Sequence, residues 1–186
     1  VADMNLPVEY IAKNFLVNEF YNYIKDLRWT PNETIMASIG QSITQVTPIA
    51  VARYVAAIAN GGTVYNAQLI DKIISPSGDV VLDKHPVVAN QITGEGADAY
   101  LKAIREGMEN VTSVENDGTA ANEFKNTKYT IAAKTGTAER TDLDIENNSW
   151  LVSYAPADDP KIVVVVYIPN GYAGLQSSAA AKTVIE

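Results

Sequence analysis

The sequence of 186 residues contains no cysteine and a single histidine, His85. Without cysteine there is no disulfide framework, no thiolate zinc site and no Cys nucleophile. With one histidine, a Ser-His-Asp triad or a His-rich metal site is hard to assemble. Cationic side chains are the minority: fourteen Lys and Arg face twenty-two Asp and Glu, a formal net charge of -8. Such a surface repels phosphate backbones and anionic membranes, which argues against nucleic-acid binding. No apolar run is long enough to cross a bilayer, and no basic-then-apolar signal sequence opens the chain. What the chain does have is core material. It is 47% apolar and only 19% charged, and a folded chain of this length buries roughly 70% of its unfolded surface, which argues against intrinsic disorder.

The chain opens on Val1, and its tail, Ala179 to Glu186, reads as a helix without a capping Gly or Pro. The expectation is therefore a single-domain piece, residues 1–186, of something longer at both ends. Within it, Phe15 to Ile24 places aromatic and apolar groups at helical spacing. Thr47-Pro48 supplies a helix start, and Ile49 to Asn60 runs without a breaker to Gly61-Gly62. Only Arg53 and Asn60 are polar there, so this helix is expected to be almost wholly buried. Gln68 to Ile74 and Asp79 to Leu82 flank Ser75-Pro76-Ser77-Gly78 as a hairpin. Glu95 to Asn110 reads as an amphipathic helix through Tyr100, Leu101, Ile104 and Met108. Strands follow at Tyr129–Ala133, Ser149–Ala155 and Lys161–Ile168. The last two are joined by Asp158-Asp159-Pro160 and should pair antiparallel. The unalternating run Ile162 to Val166 predicts a strand buried on both faces, and Ser177 to Glu186 predicts a helix covering the sheet.

The chemistry concentrates in Ile131 to Glu139. Lys134, Thr135, Gly136 and Thr137 follow one another on what reads as an edge strand, so Lys134 and Gly136 share one face while Thr135 and Thr137 share the other. Gly136 lets a substrate backbone approach closely. Lys134 can stabilise a negative charge or tune a base, and exposed backbone N–H groups can bind an oxyanion. Taken alone, the segment is equally a polar edge strand ending in a turn.

Its neighbours carry more. Lys134-Thr135-Gly136 matches the Lys-Thr-Gly element that accompanies Ser-x-x-Lys and Ser-Asp-Asn in penicillin-binding proteins and serine β-lactamases. Gly40-Gln41 followed by Thr47-Pro48, the helix end Ala57-Ile58-Ala59-Asn60-Gly61-Gly62, Gly118-Thr119-Ala120 and Tyr154-Ala155-Pro156 resemble elements of the same family, in the same order, over residues 36–168. Ser153 stands where the family has a glycine. The whole is most similar to a class B penicillin-binding protein, a D,D-transpeptidase of peptidoglycan. The resemblance implies an α+β fold of the penicillin-binding-protein and serine β-lactamase kind, an antiparallel sheet covered by helices.

It further implies that Lys134 organises the proton network around a serine nucleophile. The Thr135 and Thr137 hydroxyls, with Gly136 between them, would hold the substrate carboxylate, and the Thr137 N–H would form half of the oxyanion hole. The partners implied are a peptidoglycan stem peptide, β-lactam antibiotics and the N-terminal half of the same domain. The location implied is the extracytoplasmic face of a bacterial membrane, reached only through an N-terminal anchor outside the chain. No metal and no cofactor is implied. No serine is followed by Lys at the third position or by Asn at the second. The chain is thus expected to be the C-terminal half of a transpeptidase domain, carrying one of three motifs and inactive alone.

Rival readings stand beside this. A β-lactam-sensing receptor domain shares the fold and the Lys-Thr-Gly strand, and a degenerate homologue could serve as a scaffold. Gly61-Gly62 could cradle phosphate, although no Lys-Ser/Thr follows. Asp142, Asp144 and Glu146 alternate faintly like a calcium loop but lack its glycine, with Asn147 at that position. His85 before Pro86 reads as a surface-loop residue.

Overall fold

The computed structural model describes residues 31–41, 46–139 and 145–186. The stretch Phe15 to Ile24, Ser42 and the Asp142 to Asp144 part of the acidic loop lie outside the described residues. In chain order the elements are α1 (Pro31–Ser38), α2 (Pro48–Ala59), β1 (Thr63–Tyr65), β2 (Lys72–Ile74), β3 (Val80–Asp83), β4 (Val88–Gln91), α3 (Ala97–Asn110), α4 (Ala121–Phe124), β5 (Ala132–Ala138), β6 (Asn148–Ala155), β7 (Ile162–Ile168), a 3-10 turn (Gly174–Ser177) and α5 (Ser178–Ile185). Helices and antiparallel sheets coexist, the α+β class expected.

Two compact units result. Of the described residues, one takes 31–41, 46–47 and 66–87; the other takes 48–65, 88–139 and 145–186. The first contains the expected hairpin, β2 antiparallel to β3. Its turn closes because the Ser75 hydroxyl accepts the Asp79 N–H and Gly78 adopts φ +91. Its strands are shorter than the apolar runs that announced it, since Leu69 and Ile70 stay outside the pairing.

The second unit is built on a three-stranded antiparallel sheet, order β5-β6-β7, with β1 and β4 forming a separate pair that the sequence did not announce. Two cores cover its two faces. On one, Ala133, Leu151, Ala155 and Val164 pack against Ala181 and Ile185 of α5 and Phe124 of α4. On the other, Ala132 and Tyr154 pack against Val51 and Val55 of α2 and Met108 of α3. The expected C-terminal helix therefore does cover the sheet. α2 ends where Gly61 and Gly62 take φ +84 and +113 and the Gly62 N–H reaches the Ala57 carbonyl at 2.7 Å. That is a helix C-cap, which leaves the phosphate reading of the two glycines without a basis.

Two burial expectations are corrected. α2 buries only Val51, Val55 and Ala57, while Ile49 and Tyr54 are 39% and 52% exposed. Apolar composition made every side a candidate for burial, but only one side meets the sheet. In β7 only Val164 is buried outright. Both its faces are approached by helices, with Val163 and Val165 half-buried on the α2 side. However, β7 is an outer strand with one neighbour among the described strands, so its open margin keeps Ile162 and Tyr167 exposed. In α3, likewise, Leu101 and Met108 are buried while Tyr100 and Ile104 are exposed.

Tyr154 is fully buried, yet its hydroxyl has no hydrogen-bond partner among the described residues. Burial pushes its phenol above the ordinary value, the nearby Glu109 carboxylate pushes in the same direction, and Arg105 opposes them. A raised phenol pKa favours the neutral folded form. Its contribution to stability is intact below the ordinary value of about 10 and is lost as pH climbs toward the folded value. Tyr154→Phe is therefore expected to melt at the same or a higher temperature near pH 7, gaining on the order of 1 kcal/mol from removal of an unsatisfied hydroxyl. It should also lose less stability than the parent above pH 10. Melting curves across that range check both, and a lower melting temperature at neutral pH would contradict the assignment.

Candidate active site

The sequence around β5 explains how a polar motif reaches the surface from a buried strand. Ile131, Ala132 and Ala133 are buried, and the two alanines are small enough for helices to close on both faces of the strand. The strand's entry is fixed by the Thr112 hydroxyl, just beyond α3, which donates to the Ile131 carbonyl. From residue 134 the strand emerges: Lys134 and Thr137 are exposed, and Thr135 and Gly136 are half-buried.

Its only strand partner among the described residues is β6, with Lys134 opposite Val152, Thr135 opposite Leu151, Gly136 opposite Trp150 and Thr137 opposite Ser149. The outer edge of the motif is therefore unpaired by any described strand, as its reading as an edge strand required.

The two-residue period puts Lys134 and Gly136 on the α2 side with Ala132, and Thr135 and Thr137 on the α5 side with Ala133. The Lys134 ammonium donates to the Thr135 carbonyl. Gly136 lies over Trp150, whose ring packs on Tyr167 at 4.4 Å between centroids. A Cβ built on Gly136 would sit 3.4 Å from the Trp150 Cβ, an ordinary contact. The protein's own packing does not require a glycine there; what the glycine keeps clear is the outer surface of the motif.

On the other side, the Thr137 hydroxyl accepts the Gly174 N–H at 3.0 Å. Ser149, opposite Thr137, shares a buried 2.6 Å hydrogen bond with Ser177. These supports from the 3-10 turn were not read from the sequence. A lone glycine and a serine pair some forty residues downstream carry no local signal of contact with β5.

The remaining candidates fall elsewhere. Gly118-Thr119-Ala120 lies against the C-terminal end of α3, with the Ala120 N–H on the Val111 carbonyl and Ala120 itself in the core. Its part is structural. Ser153 is buried and donates to the Val164 carbonyl at 3.3 Å, so the departure from glycine is absorbed inside the sheet. His85 is exposed after β3. No group of three or more His, Asp or Glu converges among the described residues. An apolar groove of about 500 Å³ between α2 and α3, walled by Tyr54, Ile58, Ile92, Tyr100 and Ile104, contains none of the motif residues.

Chemically, the β5 margin offers an unpaired backbone edge on which an extended peptide can lie as an added strand. One cation and two hydroxyls suited to a carboxylate stand beside it. Residues 15–186 match the family model described as the penicillin binding protein transpeptidase domain. The chain is 35% identical to penicillin-binding protein 2A of Bacillus subtilis, across 73% of this chain and 20% of that protein. It is 30% identical to the peptidoglycan D,D-transpeptidase MrdA of Haemophilus influenzae, across 92% of this chain and 28% of the relative. Among solved structures it resembles penicillin-binding protein 2B of Streptococcus pneumoniae, with TM-score 0.70, 26% identity and coverage of 85% of this chain and 27% of that one. It also resembles penicillin-binding protein A of M. tuberculosis in its imipenem acyl-enzyme complex, with TM-score 0.66, 28% identity and coverage of 81% and 32%. The chain thus spans between a fifth and a third of the length of these relatives. Fold, edge-strand motif and relatives agree: the chain belongs to the penicillin-binding-protein transpeptidase domain family, among its class B members.

Proposed function

We propose that this chain is the C-terminal part of a D,D-transpeptidase domain that cross-links peptidoglycan stem peptides and is acylated by β-lactams. The polypeptide containing it would act at the extracytoplasmic face of a bacterial membrane, held by an anchor outside these residues. The observation that carries the reading is Lys134-Thr135-Gly136-Thr137 on the unpaired edge of β5. The H. influenzae relative is named for D,D-transpeptidase activity, and the M. tuberculosis neighbour forms an imipenem acyl-enzyme.

In this reading the stem peptide lies along β5, its terminal carboxylate held by the Thr135 and Thr137 hydroxyls. A serine supplied by the N-terminal half of the domain attacks the penultimate carbonyl, and the carbonyl oxygen becomes an oxyanion held by the Thr137 N–H and the serine's own N–H. The C–N bond breaks, the terminal D-Ala leaves with a proton, and an ester remains on the serine. An acceptor amine then attacks the ester and returns the proton to the serine oxygen. Lys134 adds positive charge to this proton network, and the absence of a Cβ at Gly136 lets the peptide backbone lie close.

Intact-mass spectrometry with a penicillin tests the proposal. The parent polypeptide should gain one penicilloyl group on a serine outside these 186 residues, and the isolated chain should gain none. An adduct on the isolated chain would mean that its nucleophile is among these residues and that the division of labour is wrong. A parent that is acylated but makes no cross-links from stem peptides would be a sensor rather than a transpeptidase.

A further inference from the structure

The 3-10 turn Gly174–Ser177 touches the motif strand at two points and its neighbour β6 at a third, and their arrangement is more specific than general packing. Gly174 rests on the backbone of Gly136 so closely that a Cβ on Gly174 would lie 2.6 Å from the Gly136 carbonyl oxygen, 2.7 Å from its nitrogen and 2.8 Å from its carbonyl carbon. All three are backbone atoms, so no side chain can swing aside to make room. The same residue's N–H is bonded to the Thr137 hydroxyl at 3.0 Å, which fixes the direction in which that hydroxyl accepts. Three residues on, the Ser177 hydroxyl is bonded within the core to Ser149, the cross-strand partner of Thr137.

The φ of Gly174 lies outside the left-handed region that only glycine favours. What the position demands of its residue is therefore the absence of a side chain against β5.

We propose that Gly174 is a positioning residue for the reaction at β5. Its missing side chain sets how near the turn lies to the backbone between Gly136 and Thr137, and its N–H sets the orientation of the Thr137 hydroxyl. The proposal rests on the transpeptidase reading, since it is the Thr137 hydroxyl and N–H that this contact places for substrate. A methyl group at 174 forces turn and strand apart by roughly 1 Å before ordinary carbon contact distances return. Displacements of that size at a catalytic group cost on the order of a hundredfold in rate.

Gly62 provides the control. Its φ of +113 strains any residue with a side chain, and a Cβ there would lie 3.1 Å from the Gln91 Nε2, 3.2 Å from the Leu101 Cδ1 and 3.3 Å from the Ile92 Cβ, none of them on β5 or β6. In the parent polypeptide, Gly174→Ala and Gly62→Ala should both lower the melting temperature. Only Gly174→Ala should speed hydrogen exchange of the amides in residues 132–138. Only Gly174→Ala should reduce the second-order rate of penicillin acylation, measured per mole of protein that labels at saturation, by about tenfold or more.

A merely structural glycine would lower the melting temperature and the labelled fraction while leaving that rate unchanged. Equal effects of the two substitutions on exchange and rate, or no effect of Gly174→Ala on either, would overturn the proposal. Should Gly174→Ala fail to fold, Ser177→Ala, which removes the link to Ser149, is read by the same two measurements with the same sign expected. An unchanged result there also overturns it. A parent that is never acylated would defeat the transpeptidase reading instead, and hydrogen exchange at 132–138 would still decide whether Gly174 holds the strand.

Discussion

Thr137→Val in the parent polypeptide is expected to slow penicillin acylation by about 10- to 150-fold while barely moving the melting temperature. The substitution keeps the branched shape that suits a strand and removes only the hydroxyl. A hydrogen bond to a charged group contributes about 1.5–3 kcal/mol net, and each 1.36 kcal/mol of barrier is a factor of about ten in rate. Those two magnitudes give the range. The structural cost is small because Thr137 is exposed. Its hydroxyl accepts the Gly174 N–H in a half-buried setting, where losing one neutral partner costs about 1 kcal/mol. Stopped-flow acylation rates with a fluorescent penicillin, beside a thermal melt, separate the two effects. Rates equal to the parent's would remove Thr137 from carboxylate binding.

Gly118→Ala is expected to produce the largest loss of stability of any single methyl addition considered for the described glycines. Its Cβ would fall 2.3 Å from the Asn110 carbonyl oxygen, 2.4 Å from that of Val111 and 2.6 Å from the Val111 carbonyl carbon. These belong to the backbone at the end of α3. The segment cannot simply slide away, because the Gly118 N–H is bonded to the Ser113 carbonyl and the Ala120 N–H to that of Val111, both at 2.9 Å. Ala120, Ala121 and Phe124 behind it are buried. Overpacking of well-filled sites usually costs about 1–3 kcal/mol and sometimes more. A collision with backbone on two carbonyls belongs at or above the top of that range.

Gly107→Ala on the exposed side of α3 meets nothing within 4 Å. It should leave stability unchanged or raise it by up to about 1 kcal/mol through helix propensity. Urea denaturation of the pair is the measurement, and equal midpoints would show that the close approach at Gly118 is not real.

How far the fold could be read in advance depended on whether its cause was local. Thr47-Pro48 and Gly61-Gly62 bracketed α2 because capping is decided by the residues at the boundary. The face split of Lys134 and Gly136 from Thr135 and Thr137 followed from the period of a strand alone. The edge position of β5 followed from chemistry, since a motif expected to meet a peptide cannot have both edges paired.

What escaped depended on partners distant in sequence. β1 and β4 are three and four residues long, and every residue of β4 is exposed, so no alternation marked them. The apolar residues of α2 state what the helix is able to bury, not how many neighbours arrive, and only one side found them. The contact of Gly174 with Gly136 needs a turn 37 residues beyond Thr137 to fold back onto the strand. A glycine in a loop announces freedom of the backbone before it announces a close approach.

The packing of α2 on the far end of the sheet has a consequence for the order in which the protein is made. Val51 and Val55 are buried against Tyr154 and flanked by Val163 and Val165. These partners leave the ribosome about a hundred residues later, on the order of five to twenty seconds at usual rates of synthesis. Until then a helix-length run of Ala, Val and Ile has only Met108 of α3 and Ala132 of its own core to fold against. Contacts of such sequence separation also carry a loop-closure cost that the first-made half cannot offset by itself. This half of the core therefore closes late and together, once β6 and β7 exist. Before that moment the nascent segment 48–59 has reason to be held by a chaperone.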